Sequence, residues 1–210
     1  MLTLEAFREG TYNYYLKRLH SLTGLIPVGV FIVVHFVLNT FALGGPDRYD
    51  RMIHLMHKVP IVPAVEVIVL LVPIAFHAIY GLIVTFKASS NVGTYRYYSN
   101  WMYLWQRVTG VIVFAFIIHH VLTTRVITMV KGTPMEYAFV AGVLSNPVMF
   151  AWYVIGVLAA VFHFTNGLWG MAISWGITGT EESQRVWRWV CNAICVVLAI
   201  WGIGLLVVFS

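Results

Sequence analysis

Of the eight histidines in this 210-residue chain, five lie deep inside apolar runs: His35, His77, the doublet His119/His120, and His163. An imidazole in hydrocarbon costs several kcal/mol unless it finds a partner. It can serve there as a hydrogen-bonded core residue, a proton relay or a metal ligand. The spacing favours the third role. His35 to His77 is 42 positions, His77 to His120 is 43, and His120 to His163 is 43. The remaining three differ in setting. His20 stands at the mouth of the first apolar run, in KRLHSLTG, while His54 and His57 fall in a polar stretch and are expected to be solvated.

The elements that position these side chains follow from composition. The chain is 60% hydrophobic and only 10% charged, with mean hydropathy +0.83. A soluble domain averages about 25% charged residues, so this is an integral membrane protein. Leu19–Pro46, Val67–Phe86, Val108–Thr124, Tyr137–Thr180 and Trp189–Ser210 contain no Asp, Glu, Lys or Arg. A spanning helix needs roughly 17–25 apolar residues. The expected fold is all-α, a single domain over 1–210 with five transmembrane helices near 20–43, 61–86, 105–129, 148–175 and 187–209. The middle of KGTPMEYAFVAGVLSNP is expected to form a short interfacial segment. The first 18 residues are too acidic, and too long, for a secretory signal, so the first helix is expected to remain. Lys and Arg count eight on the N-terminal side of the short loops and five on the other, which favours a cytoplasmic N-terminus.

In an up-and-down bundle the regular spacing has a geometric consequence. Each histidine lies about 12–18 Å before its helix's C-terminal end, at 1.5 Å per residue. The first and third helices end on one side, the second and fourth on the other. His35 and His120 therefore share the outer half of the membrane, and His77 and His163 the inner half. Two facing imidazole pairs at two depths are what two stacked bis-histidine haems require. The first four helices bind them, and the fifth carries no histidine. Gly81 and Gly167, one turn after His77 and His163, are expected to leave room for a flat macrocycle, with Gly24, Gly29 and Gly110 as further candidates. Lys17, Arg18, His20 and Ser21 at the cytoplasmic mouth of the first helix, and Arg107 at the start of the third, are candidate partners for haem propionates. Arg125 lies beyond the outer histidines.

The doublet stays open at this level. Adjacent helical residues point about 100° apart, so His119 and His120 cannot both face one iron, and either keeps the spacing near 43. The two cysteines, Cys191 and Cys195, read as small apolar fillers. They form no CxxCH motif and are too few for an iron–sulfur cluster, which needs about four ligands. No nucleotide-binding glycine fingerprint occurs either.

Several longer stretches carry a resemblance: RLHSLTGLIPVGVFIVVHFVLN, FHAIYG, NWMYLWQRVTG, HVLTTR and VFHFTNGLWG followed by SWGIT. They resemble the di-haem cytochrome b558 membrane anchors of Bacillus-type succinate:menaquinone oxidoreductases, over about Tyr14–Arg188. The resemblance implies five spans in the cell membrane with a cytoplasmic N-terminus, two haem b groups, and flavoprotein and iron–sulfur subunits docked on the cytoplasmic face. It implies His35 and His120 as ligands of the outer haem iron and His77 and His163 as ligands of the inner, higher-potential one. The HVxxTR pattern selects His120 and leaves His119 a bystander, turned toward headgroups or another helix. His20 lies near the inner haem without ligating it.

On the same resemblance, electrons from succinate pass through the partners' clusters to the inner haem, the outer haem and then menaquinone. That flow is uphill and draws on the transmembrane field. The flavin chemistry belongs to a partner, while this chain carries electron transfer and the quinone site. Glu66, the one acid well inside an apolar run, lies toward the outside and is the candidate proton acceptor beside that quinone. Two rival readings remain: the anchor of a fumarate reductase or another quinone-linked di-haem oxidoreductase, and, from a different class, a proton-coupled transporter that uses its membrane histidines as relays.

Overall fold

The computed structural model describes residues 4–132 and 135–210, with side chains from residue 12 onward; Thr133 and Pro134, in the loop before the fourth span, lie outside it. Every regular element among the described residues is helical. Seven helices matter here. Five are long and apolar enough to cross a membrane: α1 (Tyr12–Gly44), α3 (Val62–Lys87), α4 (Tyr98–Lys131), α6 (Pro147–Ser174) and α7 (Glu181–Phe209). Two short ones, α2 (Pro46–His57) and α5 (Tyr137–Leu144), cap the end opposite the N-terminus.

The five expected spans are present, and a short helix, α5, forms within the stretch expected to be interfacial. The ends of the spans differ from expectation mainly at the N-termini: α4 begins at Tyr98 and α7 at Glu181, seven and six residues before the expected 105 and 187, and the helix of α1 is continuous from Leu4, well before the expected 20. The reason is that uncharged runs locate the hydrocarbon, whereas helices continue into the headgroup layer where Tyr, Trp and Arg are welcome. At α7 the local signal is a capping box: the Thr180 hydroxyl accepts from Ser183 N at 3.2 Å and Ser183 Oγ accepts from Thr180 N at 3.1 Å. Glu181 and Glu182 then complement the helix dipole. At α6, Pro147 sits in the first turn and Asn146 Oδ1 accepts from Val148 N and Met149 N.

Three spans contain a widened π turn: Gly24–Gly29 in α1, Glu66–Leu71 in α3 and Leu122–Val126 in α4. Pro27 lies inside the first and Pro73 just after the second. Proline lacks an N–H and crowds the carbonyl one turn back, and a widened turn absorbs both defects.

The bundle is organised around α6, which packs against α4 on one side and α7 on the other. It contributes six buried residues, among them Tyr153, Gly156 and Val161. By contrast α3 buries none and is held mainly by α1 and α4. Two clusters fill the interior. One joins Phe36, Val161, Leu198 and Leu205; Trp201 Nε1 donates to Thr40 Oγ1 at 2.9 Å beside it. The other lies toward the capped end and joins Ala42, Tyr49, Phe116, Leu144, Tyr153, Leu206 and Phe209. There α2 and α5 are tied together: Asp50 Oδ1 accepts from Tyr137 N at 2.6 Å, and the Tyr137 hydroxyl donates to Val208 O at 2.6 Å. Burial and the nearby Asp50 carboxylate push the Tyr49 phenol up to about 12. His54 and His57 are exposed, as expected, but on α2; His54 Nε2 lies 3.2 Å from Glu136 Oε1.

Candidate haem-binding pairs

The four spans that carry deep histidines bring them together two by two. His77 on α3 and His163 on α6 face each other with ring centroids 6.2 Å apart and planes at 88°. His35 on α1 and His120 on α4 do the same at 5.9 Å and 82°. Among the described residues no group of three or more His, Cys, Asp or Glu converges, so these are two-donor sites. Two metal–imidazole bonds of about 2 Å, plus the two ring radii, put ring centres about 6 Å apart. The donor set and its separation therefore fit an iron clamped from both faces.

The surroundings fit too. His77 Nδ1 donates to the backbone carbonyl of His20 at 2.8 Å, and His163 Nδ1 to that of Gln106 at 3.0 Å. In a neutral ring this places the proton on Nδ1 and frees the Nε2 lone pair. Glycines give the rings space. A Cβ on Gly24 would lie 2.3 Å from His77 Cε1, and one on Gly110 would lie 3.0 Å from His163 Cε1. Gly81 and Gly167 face His20 and the Gln106 amide, and the missing side chain of Gly29 admits the Phe164 ring. A ligand ring reaches across to the neighbouring helix, so the space it needs is opened on that helix.

The candidate propionate partners separate into two groups. His20 joins the inner site: its ring stacks on His77 at 4.1 Å, and its buried Nδ1 has no hydrogen-bond partner among the described residues. That orphan atom suits a bound group bringing its own polar oxygens. The neighbouring Ser21 Oγ donates to Arg18 O and accepts from Trp175 Nε1, both at 2.9 Å, while the Arg18 guanidinium lies over the Trp175 ring. Arg107 donates to Ala88 O at 3.3 Å and to the Tyr103 hydroxyl.

Two features went unread in the sequence. A polar tether joins α4 to α6 beside His163: Asn166 Nδ2 donates to Gln106 Oε1 at 2.7 Å, and Gln106 Nε2 to His163 O at 3.1 Å. Its signal was there, since amides in an apolar run need partners. The second is an ion pair. Arg125 Nη2 and Nε donate to Glu66 Oε2 at 2.6 and 3.1 Å, linking the π turns of α3 and α4. Antiparallel consecutive spans place the first turns of α3 beside the last turns of α4, which is where these two charges stand.

The doublet divides between two partners on α6. His119 Nδ1 accepts from Trp152 Nε1 at 3.2 Å, and His120 Nδ1 lies 3.3 Å from the Tyr153 hydroxyl. His119 is thus turned toward another helix.

Comparison with known proteins agrees with this architecture. Residues 85–202, more than half of the chain, match the family described as succinate dehydrogenase/fumarate reductase transmembrane subunit. Over 202 residues, 96% of this chain and 98% of the relative, the sequence is 40% identical to the succinate dehydrogenase cytochrome b558 subunit of Bacillus subtilis (strain 168). The five-span bundle with its paired histidines is therefore a membrane-spanning subunit, and the chain belongs to the succinate dehydrogenase/fumarate reductase transmembrane subunit family.

Proposed function

We propose that this chain is the di-haem cytochrome b anchor of a succinate:menaquinone oxidoreductase. The observation that carries the reading is the pair of facing imidazole couples, one in each half of the bundle. Haem b bound between each couple would supply reversible one-electron transfer at that depth. His77 and His163 would hold the inner iron, and His35 and His120 the outer. The carbonyls of His20 and Gln106 fix the inner rings and raise their basicity.

The relative's name supports succinate as electron source. The chain carries no flavin or cluster motif, so flavoprotein and iron–sulfur partners on the cytoplasmic face supply those centres. The N-terminus is cytoplasmic, and His20, Arg18, Ser21 and Arg107 lie toward that face, His20 within the inner haem's polar surroundings. Glu66 takes up the proton at an outer menaquinone site, and Arg125 holds its carboxylate in place between turnovers. A reduced-minus-oxidised spectrum with haem quantification tests the reading. Two b-type haems per chain are expected; a colourless protein made with ample haem supply would return the histidines to a proton-relay role.

A further inference from the structure

We infer that Trp152 and Tyr153, adjacent on α6, decide which member of the doublet meets the outer iron, and that Tyr153 is the positioning residue for His120. The inference rests on the di-haem reading and deepens it. An indole nitrogen only donates. The Trp152 bond at 3.2 Å therefore makes His119 Nδ1 an acceptor and leaves the proton of the neutral ring on Nε2. Neither nitrogen of His119 then has a free lone pair for a metal. His120 is the complement. Its Nδ1 lies 3.3 Å from the Tyr153 hydroxyl, which, unlike an indole, can accept; with the proton on Nδ1 donated to that hydroxyl, Nε2 keeps the lone pair for a metal. Its ring stacks at 19° on Phe116 and lies 5.9 Å from His35.

The two sites thus differ in kind. Both inner rings lean on backbone carbonyls, which no side-chain substitution removes. The outer His120 leans on a hydroxyl supplied by one buried tyrosine, 7% exposed. A hydrogen bond from the second ring nitrogen makes an imidazole a more basic ligand and favours the oxidised metal. Removing its acceptor favours the reduced metal.

The experiment uses the full-length chain in its complex, with redox titration and low-temperature EPR of each haem. Tyr153→Phe deletes one oxygen and keeps the ring packed on Phe116. Its outer haem is expected at a higher midpoint potential with shifted low-spin g-values, beside an unchanged inner haem. Loss of the outer haem alone has the same meaning, since only the hydroxyl is gone. A midpoint and g-values identical to wild type overturn the inference. Should Tyr153→Phe not accumulate, the doublet itself decides. An outer haem lost from His120→Ala and kept in His119→Ala supports the assignment, and the opposite pattern overturns it. A wild-type protein without haem would instead overturn the underlying reading.

Discussion

At the scale of single residues, the Glu66–Arg125 pair separates stability from function. The carboxylate accepts both Arg125 hydrogen bonds through one oxygen, Oε2. Glu66→Gln keeps the shape and a hydrogen-bond acceptor for Arg125 but cannot take up a proton. Quinone reduction should fall severalfold while both haem spectra and the yield of folded complex are unchanged; undiminished quinone turnover would remove Glu66 from the mechanism. How residues became legible differed by type. Histidine is rare enough in a membrane that its spacing predicted His77 opposite His163 and His35 opposite the doublet, and the resemblance chose His120 within the doublet. The ring partners of the doublet were not legible, because Trp152 and Tyr153 sit among interfacial aromatics whose ordinary role is to anchor a helix end. Only the relative rotation of α4 and α6 distinguishes them.

At the scale of elements, close helix approach sets the room around each pair. A Cβ on Gly156 would lie 2.2 Å from Phe116 Cδ2, in the ring that stacks on His120. A Cβ on Gly24 would strike the His77 ring. Overpacking of this kind costs about 1–3 kcal/mol, and here it falls on opposite halves of the bundle. Gly156→Ala should therefore lower the outer haem content and spare the inner one, and Gly24→Ala should do the reverse. Haem per chain, resolved by redox titration, measures both. Losses shared equally by the two sites would mean that the substitutions act on folding as a whole. The number and order of spans were legible from uncharged runs. Their N-terminal turns were not, because an interfacial turn of Tyr, Trp and Arg looks like loop by hydropathy. The glycines opposite the ligand rings were only partly legible, because facing residues on different helices share no sequence period.

At the scale of the whole molecule, the two pairs define two levels in the membrane. On α1, Gly24 abuts the inner His77, and His35 of the outer pair follows 11 residues on. On α4, Gly110 abuts His163, and His120 follows ten residues on. At 1.5 Å per residue both helices place the levels about 15 Å apart, half of a hydrocarbon core about 30 Å thick. One charge crossing the full membrane gains about 2.3 kcal/mol per 100 mV, so an electron moving between the levels gains about half of that. Near 1 kcal/mol corresponds to a roughly five- to tenfold change in the electron distribution. In proteoliposomes poised half-reduced, a potassium diffusion potential of 100 mV, negative on the N-terminal side, should move electrons from the inner pair to the outer by that factor, read from the two α-bands. No redistribution would place both pairs at one depth. Redistribution toward the inner pair would place His77 and His163 farther from the N-terminal side than His35 and His120. A field effect of this sign is what lets a membrane anchor use the transmembrane potential to drive electrons toward an outer acceptor.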